Sequence, residues 1–286
     1  MLLAVTVGVL ASCGSGFERG SANASTQPAG GSFKAPDTGK GARVWAVGDG
    51  SVEGSSARRV ASLITGAKPE LLLYLGDVYP GGSAEDYRTY DGLYGSLAKR
   101  TAPTLGNHEA PNRSDGYAPY WARALGRPIP RWYSFRAGGW TIISLDSEVR
   151  GALARRQASW LRSTTRGGGT CRLAFWHRPR YSAGRHGDDA AVAPLWDALR
   201  GRARLVLNGH DHDLQQLKRR DGITELVAGA GGNERYALHP DRRVAWGTAD
   251  VFGALKLTLS RGRASYAFVD EGGRTLHRGT AQCASR

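Results

Sequence analysis

Five short apolar runs recur along the chain, and each stops on a polar group that a buried strand has no use for. Residues 43–50 read RVWAVGDG, 71–82 LLLYLGDVYPGG, 101–110 TAPTLGNHEA, 172–182 RLAFWHRPRYS and 204–213 RLVLNGHDHD. Apolar runs without polar alternation predict strands buried on both faces. The runs close on Gly48-Asp49, Gly76-Asp77, Gly106-Asn107-His108-Glu109, His177 and Gly209-His210-Asp211-His212. A lone Gly-Asp pair is accounted for by an Asx turn, but a recurring one is not. In an open α/β sheet the carboxyl ends of the strands line one crevice, and ligands bind there. Asp49, Asp77, Asn107, His177, His210 and His212 are therefore expected to converge.

Helical stripes separate these runs. Over 188–201, Val192, Leu195, Trp196 and Leu199 share one face, with Asp188 and Asp189 at the start and Gly201 at the end. Tyr87, Tyr90, Tyr94 and Leu97 form a second stripe that reads as core, and Val60, Leu63 and Ile64 a third. Strand and helix alternate through the first half, which argues an α/β class. From about residue 223 the pattern turns to strands, in GITELVAGAGG, GALKLTLS and ASYAFVD. There is no internal repeat, and residues 42–286 read as a single domain.

Carboxylates, an amide and imidazoles at strand ends form a donor set suited to Fe, Mn or Zn. In order, GD, GDxxY, GNHE, a lone His after a strand and GHxH resemble the motifs of calcineurin-like metallophosphoesterases over about residues 43–232, closest to the purple-acid-phosphatase branch. The resemblance implies a four-layer sandwich, two packed β-sheets flanked by helices, with the metal site at the strand C-terminal ends. It also implies hydrolysis of a small phosphorylated substrate, a phosphomonoester foremost, at two metal ions. Such a pair neutralises the phosphate, makes hydroxide available near neutral pH and stabilises in-line displacement.

Residue by residue, the resemblance makes Asp77 the bridge, gives Asp49 and His212 to the first metal, and gives Asn107, His177 and His210 to the second. His108 is implied at the rim, stabilising charge or protonating the leaving group. His186, on a Gly-flanked loop, is a second candidate acid. The sequence departs from the superfamily at Ser51, where most members carry a metal-binding His. The purple acid phosphatases compensate with a tyrosine, but Tyr79 lies two residues after Asp77, not three. Two alternatives follow: Tyr79 ligates, or it packs beside the site. The motifs fix the reaction centre but not the pocket wall, which keeps in view a phosphodiesterase acting on nucleotides or lipid headgroups. The departure at Ser51 and Tyr79 keeps in view a catalytically weak surface-binding protein.

Net charge is +14, with the sequence pI near 10.1. A positive field draws in phosphoesters and other polyanions, but no nucleic-acid-binding motif accompanies it. The N-terminal MLLAVTVGVLASC is apolar and too short to span a bilayer, as in an export signal. LASC at 10–13 resembles a bacterial lipobox, which implies lipidation of Cys13 and an exported, surface-held or secreted protein. Residues 14–41 are rich in Ser, Gly, Ala and Thr and read as a flexible tether. Outside the cytoplasm the remaining pair, Cys171 and Cys283, is expected to be a disulfide.

Overall fold

The computed structural model describes residues 31–32, 41–167 and 169–283. In chain order its strands are β1 (Gly31–Ser32), β2 (Ala42–Val47), β3 (Leu71–Tyr74), β4 (Thr101–Pro103), β5 (Tyr133–Ala137), β6 (Trp140–Ser144), β7 (Arg172–Phe175), β8 (Leu205–Asn208), β9 (Leu214–Leu217), β10 (Thr224–Ala228), β11 (Val244–Thr248), β12 (Gly253–Ser260), β13 (Arg263–Asp270) and β14 (Thr275–Gln282). The α-helices are α1 (Ser55–Gly66), α2 (Asp86–Tyr94), α3 (Tyr117–Leu125), α4 (Gly151–Thr164) and α5 (Ala193–Leu199).

The strands divide between two sheets. One runs β1-β5-β6-β7-β8-β10-β9-β11, the other β14-β13-β12-β2-β3-β4. All five apolar runs of the sequence are strands: β2, β3 and β4 lie parallel in the second sheet, β7 and β8 parallel in the first. Residues therefore reach the site from the ends of both sheets, not from one open sheet.

Period-two alternation sets the layers. Leu173, Phe175, Leu205 and Leu207 face the core shared with the second sheet, while Ala174, Trp176 and Val206 face α4 and α5, meeting Leu161, Leu195 and Leu199. On the second sheet, Tyr90 of α2 meets Tyr74 of β3 edge to face, with centroids 4.8 Å apart. The tyrosine stripe is buried as its spacing predicts, Tyr90 and Tyr94 completely. Two sheets flanked by helices is the architecture the motifs imply.

The expected helix over 188–201 is shorter, because Asp189 caps a 3-10 turn at Ala190–Val192 and α5 begins only at Ala193. The late strands split between the sheets, β10 and β11 joining the first and β12 to β14 the second. Cys171 and Cys283 are bonded, with their Cα atoms 4.9 Å apart. The bond ties the entry of β7 in one sheet to the exit of β14 in the other. Cys13 and most of 14–41 lie outside the described residues; within that stretch Gly31–Ser32 pair in parallel with β5. No helix among the described residues is long and apolar enough to cross a membrane.

Candidate metal centre

Asp49, Asp77 and His210 adopt left-handed backbone angles, with φ of 59°, 63° and 71°. That region costs an L-residue about 1–2 kcal/mol, least for Asp. Each follows a glycine at a strand end, and the sharp turn sends the side chain across the mouth of the sandwich instead of along a sheet face. Neighbouring glycines leave room for it. A Cβ on Gly106 would stand 2.1 Å from Asp77 Oδ1, and one on Gly209 2.5 Å from Asp49 Oδ2.

The donors fall into two groups that share one atom. Around the Tyr79 hydroxyl lie His212 Nε2 at 2.8 Å, Asp49 Oδ1 at 3.1 Å and Asp77 Oδ2 at 3.2 Å. Around His177 Nε2 lie Asn107 Oδ1 and His210 Nδ1, each at 3.1 Å, and Asp77 Oδ2 at 3.2 Å. Asp77 Oδ2 belongs to both. His210 and His212 part company because the left-handed turn at His210 swings its ring to the second group while His212 stays with the first. The Tyr79 hydroxyl is thus brought to the first group despite its shifted register.

The chemistry of this set fits cations. His177 Nδ1 donates to the Leu75 carbonyl at 2.9 Å, which leaves the Nε2 lone pair facing the oxygens of Asn107 and Asp77. His212 Nδ1 likewise donates to the Glu234 carbonyl at 2.5 Å, leaving Nε2 toward Asp49 and Tyr79. A carbonyl or carboxylate behind each ligating imidazole is the usual support of a metal site. Burial lowers the proton affinity of His177, but the Asp77 carboxylate and its hydrogen bond outweigh this and lift the group to about 10. Burial would raise Asp77, yet His177 holds it well below the usual carboxylate range. The field that draws a proton between these donors also draws a cation. Asp77, His177 and His210 offer ligand atoms all within 4.8 Å of one another and are buried.

His108 sits at the rim. Its side chain is 38% exposed, its Nδ1 meets the Pro80 carbonyl at 2.5 Å, and its Nε2 lies 3.9 Å from Asp77 Oδ2. The His108 backbone N–H donates to Asp77 Oδ1 at 3.0 Å. His186 is exposed on the opposite loop, and its ring stacks on His210 at 4.2 Å.

Several neighbours to which the sequence assigned no role in the site complete it. Buried Glu109 accepts the Asp77 backbone N–H at 3.0 Å, so the last residue of GNHE steadies the turn. Arg178 has Nε held by both oxygens of Glu148 at 2.9 and 3.1 Å and Nη1 3.1 Å from His210 Nε2. Tyr236 stacks on His212 at 4.1 Å from a loop beyond every motif. The motif spacing identifies strand ends; it is silent on which distant loop closes over them.

A two-sheet sandwich flanked by helices, with this convergence at its strand ends, has the metallophosphoesterase fold. The family model for calcineurin-like phosphoesterases matches residues 42–214, and the chain belongs to that family. Membership implies divalent metal ions at the site. The chain is 30% identical over 198 residues, 64% of its own length and 72% of the relative's, to a probable cyclic nucleotide phosphodiesterase of Synechococcus sp.. Among solved structures it resembles the purple acid phosphatase PPD1 of yellow lupin, with a TM-score of 0.66 at 15% identity over 87% of this chain and 54% of that one. It resembles a dimetal phosphatase from Danio rerio with a TM-score of 0.56 at 12% identity over 84% and 98%. GAP50, the anchor in the inner membrane complex of Plasmodium, gives 0.67 at 15% over 86% and 90%. At these identities the structural likeness is one of fold.

Proposed function

We propose that the protein hydrolyses phosphoesters, phosphomonoesters foremost, at a dinuclear metal centre. The observation that carries this reading is Asp77 Oδ2, which stands 3.2 Å from both the Tyr79 hydroxyl and His177 Nε2 and so joins the two donor groups. Asp49, Tyr79 and His212 would hold one ion, Asn107, His177 and His210 the other, with Asp77 between. When bound, the pair supplies charge neutralisation and a clamp on the attacking and leaving oxygens. His108, with Nδ1 committed to the Pro80 carbonyl, presents Nε2 to the site. As an imidazolium it donates from Nε2 to the departing alkoxide. The imidazole of His186 and the guanidinium of Arg178 line the other side, and cationic groups on both sides suit the second negative charge of a monoester.

The relative from Synechococcus supports a second reading, a diesterase acting on cyclic nucleotides. Elemental analysis of protein purified without added metal, assayed in parallel on nitrophenyl phosphate, bis-nitrophenyl phosphate and a 3′,5′-cyclic nucleotide, separates the two. Metal near two equivalents with preference for the monoester is expected. Preference for either diester would favour the second reading, and turnover without metal would overturn both. We also infer export with lipidation at Cys13, supported by the apolar stretch ending in LASC. Mass spectrometry of the mature N-terminus tests this, and an unmodified terminus beyond Cys13 would refute it.

A further inference from the structure

Between the two metal-facing histidines stands Asp211, a carboxylate with no exposed surface. A buried carboxylate is costly unless its oxygens are bonded, and those of Asp211 go to one loop. Oδ2 accepts the Ser182 hydroxyl at 2.5 Å, and Oδ1 accepts the His186 backbone N–H at 2.7 Å. Ser182 Oγ in turn accepts the Gly184 N–H at 2.9 Å and Gln215 Nε2 at 2.8 Å, while Gln215 Oε1 accepts the Ala183 N–H at 2.9 Å. Gly184 lies flat on this cluster. A Cβ there would stand 2.4 Å from Asp211 Cγ and 2.6 Å from Asp213 Oδ2, a buried oxygen without a hydrogen-bond partner. The loop thus held ends in His186, whose ring stacks on His210 at 4.2 Å and meets Tyr236 edge-on at 5.4 Å.

We propose that Asp211 is a positioning residue, which through Ser182 and the 182–187 loop holds the His186 imidazole over His210 at the rim of the metal centre. The segment that carries two metal ligands then also sets the reach of the substrate-facing histidine. Asp211 itself touches neither metal nor substrate. The proposal rests on the reading of His186 as a group that meets the substrate phosphate.

The test is a set of variants of the full metal-loaded protein: Ser182→Ala, Gly184→Ala, His186→Ala, and each of the first two combined with His186→Ala. Metal content, kcat and KM for nitrophenyl phosphate are measured for each. Ser182→Ala removes the hub of the clamp, and Gly184→Ala pushes the loop off the carboxylates without deleting a hydrogen-bonding group. Each is expected to lower kcat by roughly 10- to 100-fold, the scale of a misplacement near 1 Å, with metal content and KM near those of the parent. In the His186→Ala background neither should cause further loss, because residues acting as one unit are not additive. Losses that multiply independently of His186 would overturn the positioning role. A normal kcat in His186→Ala would overturn the reading of His186 beneath it, and the parent's own turnover and metal content would still report on the proposed hydrolase function.

Discussion

At the scale of single residues, the proposed function separates groups that would hold cations from groups that would face the substrate. Asp77 is the shared donor, so Asp77→Asn should abolish turnover and lower metal content at both sites. Full metal with normal kcat in that variant would remove it from the bridge. His108 fills neither donor group: its Nε2 stands off at 3.9 Å from Asp77 while its backbone N–H bonds the carboxylate. His108→Ala is therefore expected to retain metal and lose roughly 10² to 10⁴ in kcat, the usual worth of general acid–base catalysis. The loss should be smaller with nitrophenyl phosphate than with an alkyl phosphate, since a phenolate leaves without a proton. An equal loss on both substrates would assign His108 to phosphate charge instead of the leaving group.

At the scale of the element, the strand–glycine–acid turn is the repeated device. β2, β3 and β8 each run into a glycine and then a left-handed Asp49, Asp77 or His210. Close approach between these turns is possible only where side chains are missing. Gly106→Ala places a methyl 2.1 Å from Asp77 Oδ1 and 2.5 Å from the Asp77 backbone nitrogen, closer than any real contact, so the carboxylate and the turn that carries it must both move. This variant should fold, because Gly106 lies beyond the end of β4 and outside the sheet pairings. It should bind metal more weakly than the parent, read as a rightward shift in a metal titration of the apoprotein. An unchanged titration would show that the turn tolerates the displacement.

At the scale of the whole molecule, the bond between Cys171 and Cys283 spans 112 residues and joins the two sheets whose ends make the site. Closing a loop of this length removes denatured-chain entropy worth about 4–5 kcal/mol in the chain-entropy account. The paired Cys171→Ser and Cys283→Ser variant should melt roughly 10 °C lower, with kcat at 25 °C little changed because neither sulfur touches the donors. Differential scanning calorimetry against turnover checks both halves; a fall in kcat without a fall in Tm would tie the bond to the site instead of to stability.

The local pattern along the chain determined that five apolar runs are strands, that their polar ends converge and that tyrosines at helical spacing are core. These properties follow from residue type and near-neighbour spacing, as with the buried LLLY of β3 and the Gly76-Asp77 turn behind it. Only the tertiary structure decided where the Tyr79 hydroxyl goes. Counting from Asp77 leaves ligand and packing residue equally open, and its place is set by Asp49 and His212, 30 and 133 positions away. The same holds for Glu148 gripping Arg178, for Tyr236 over His212 and for Asp211 clamping the loop of His186. Each joins elements that share no periodicity, so the reason for it lies in how two sheets pack and which loops their ends bring together.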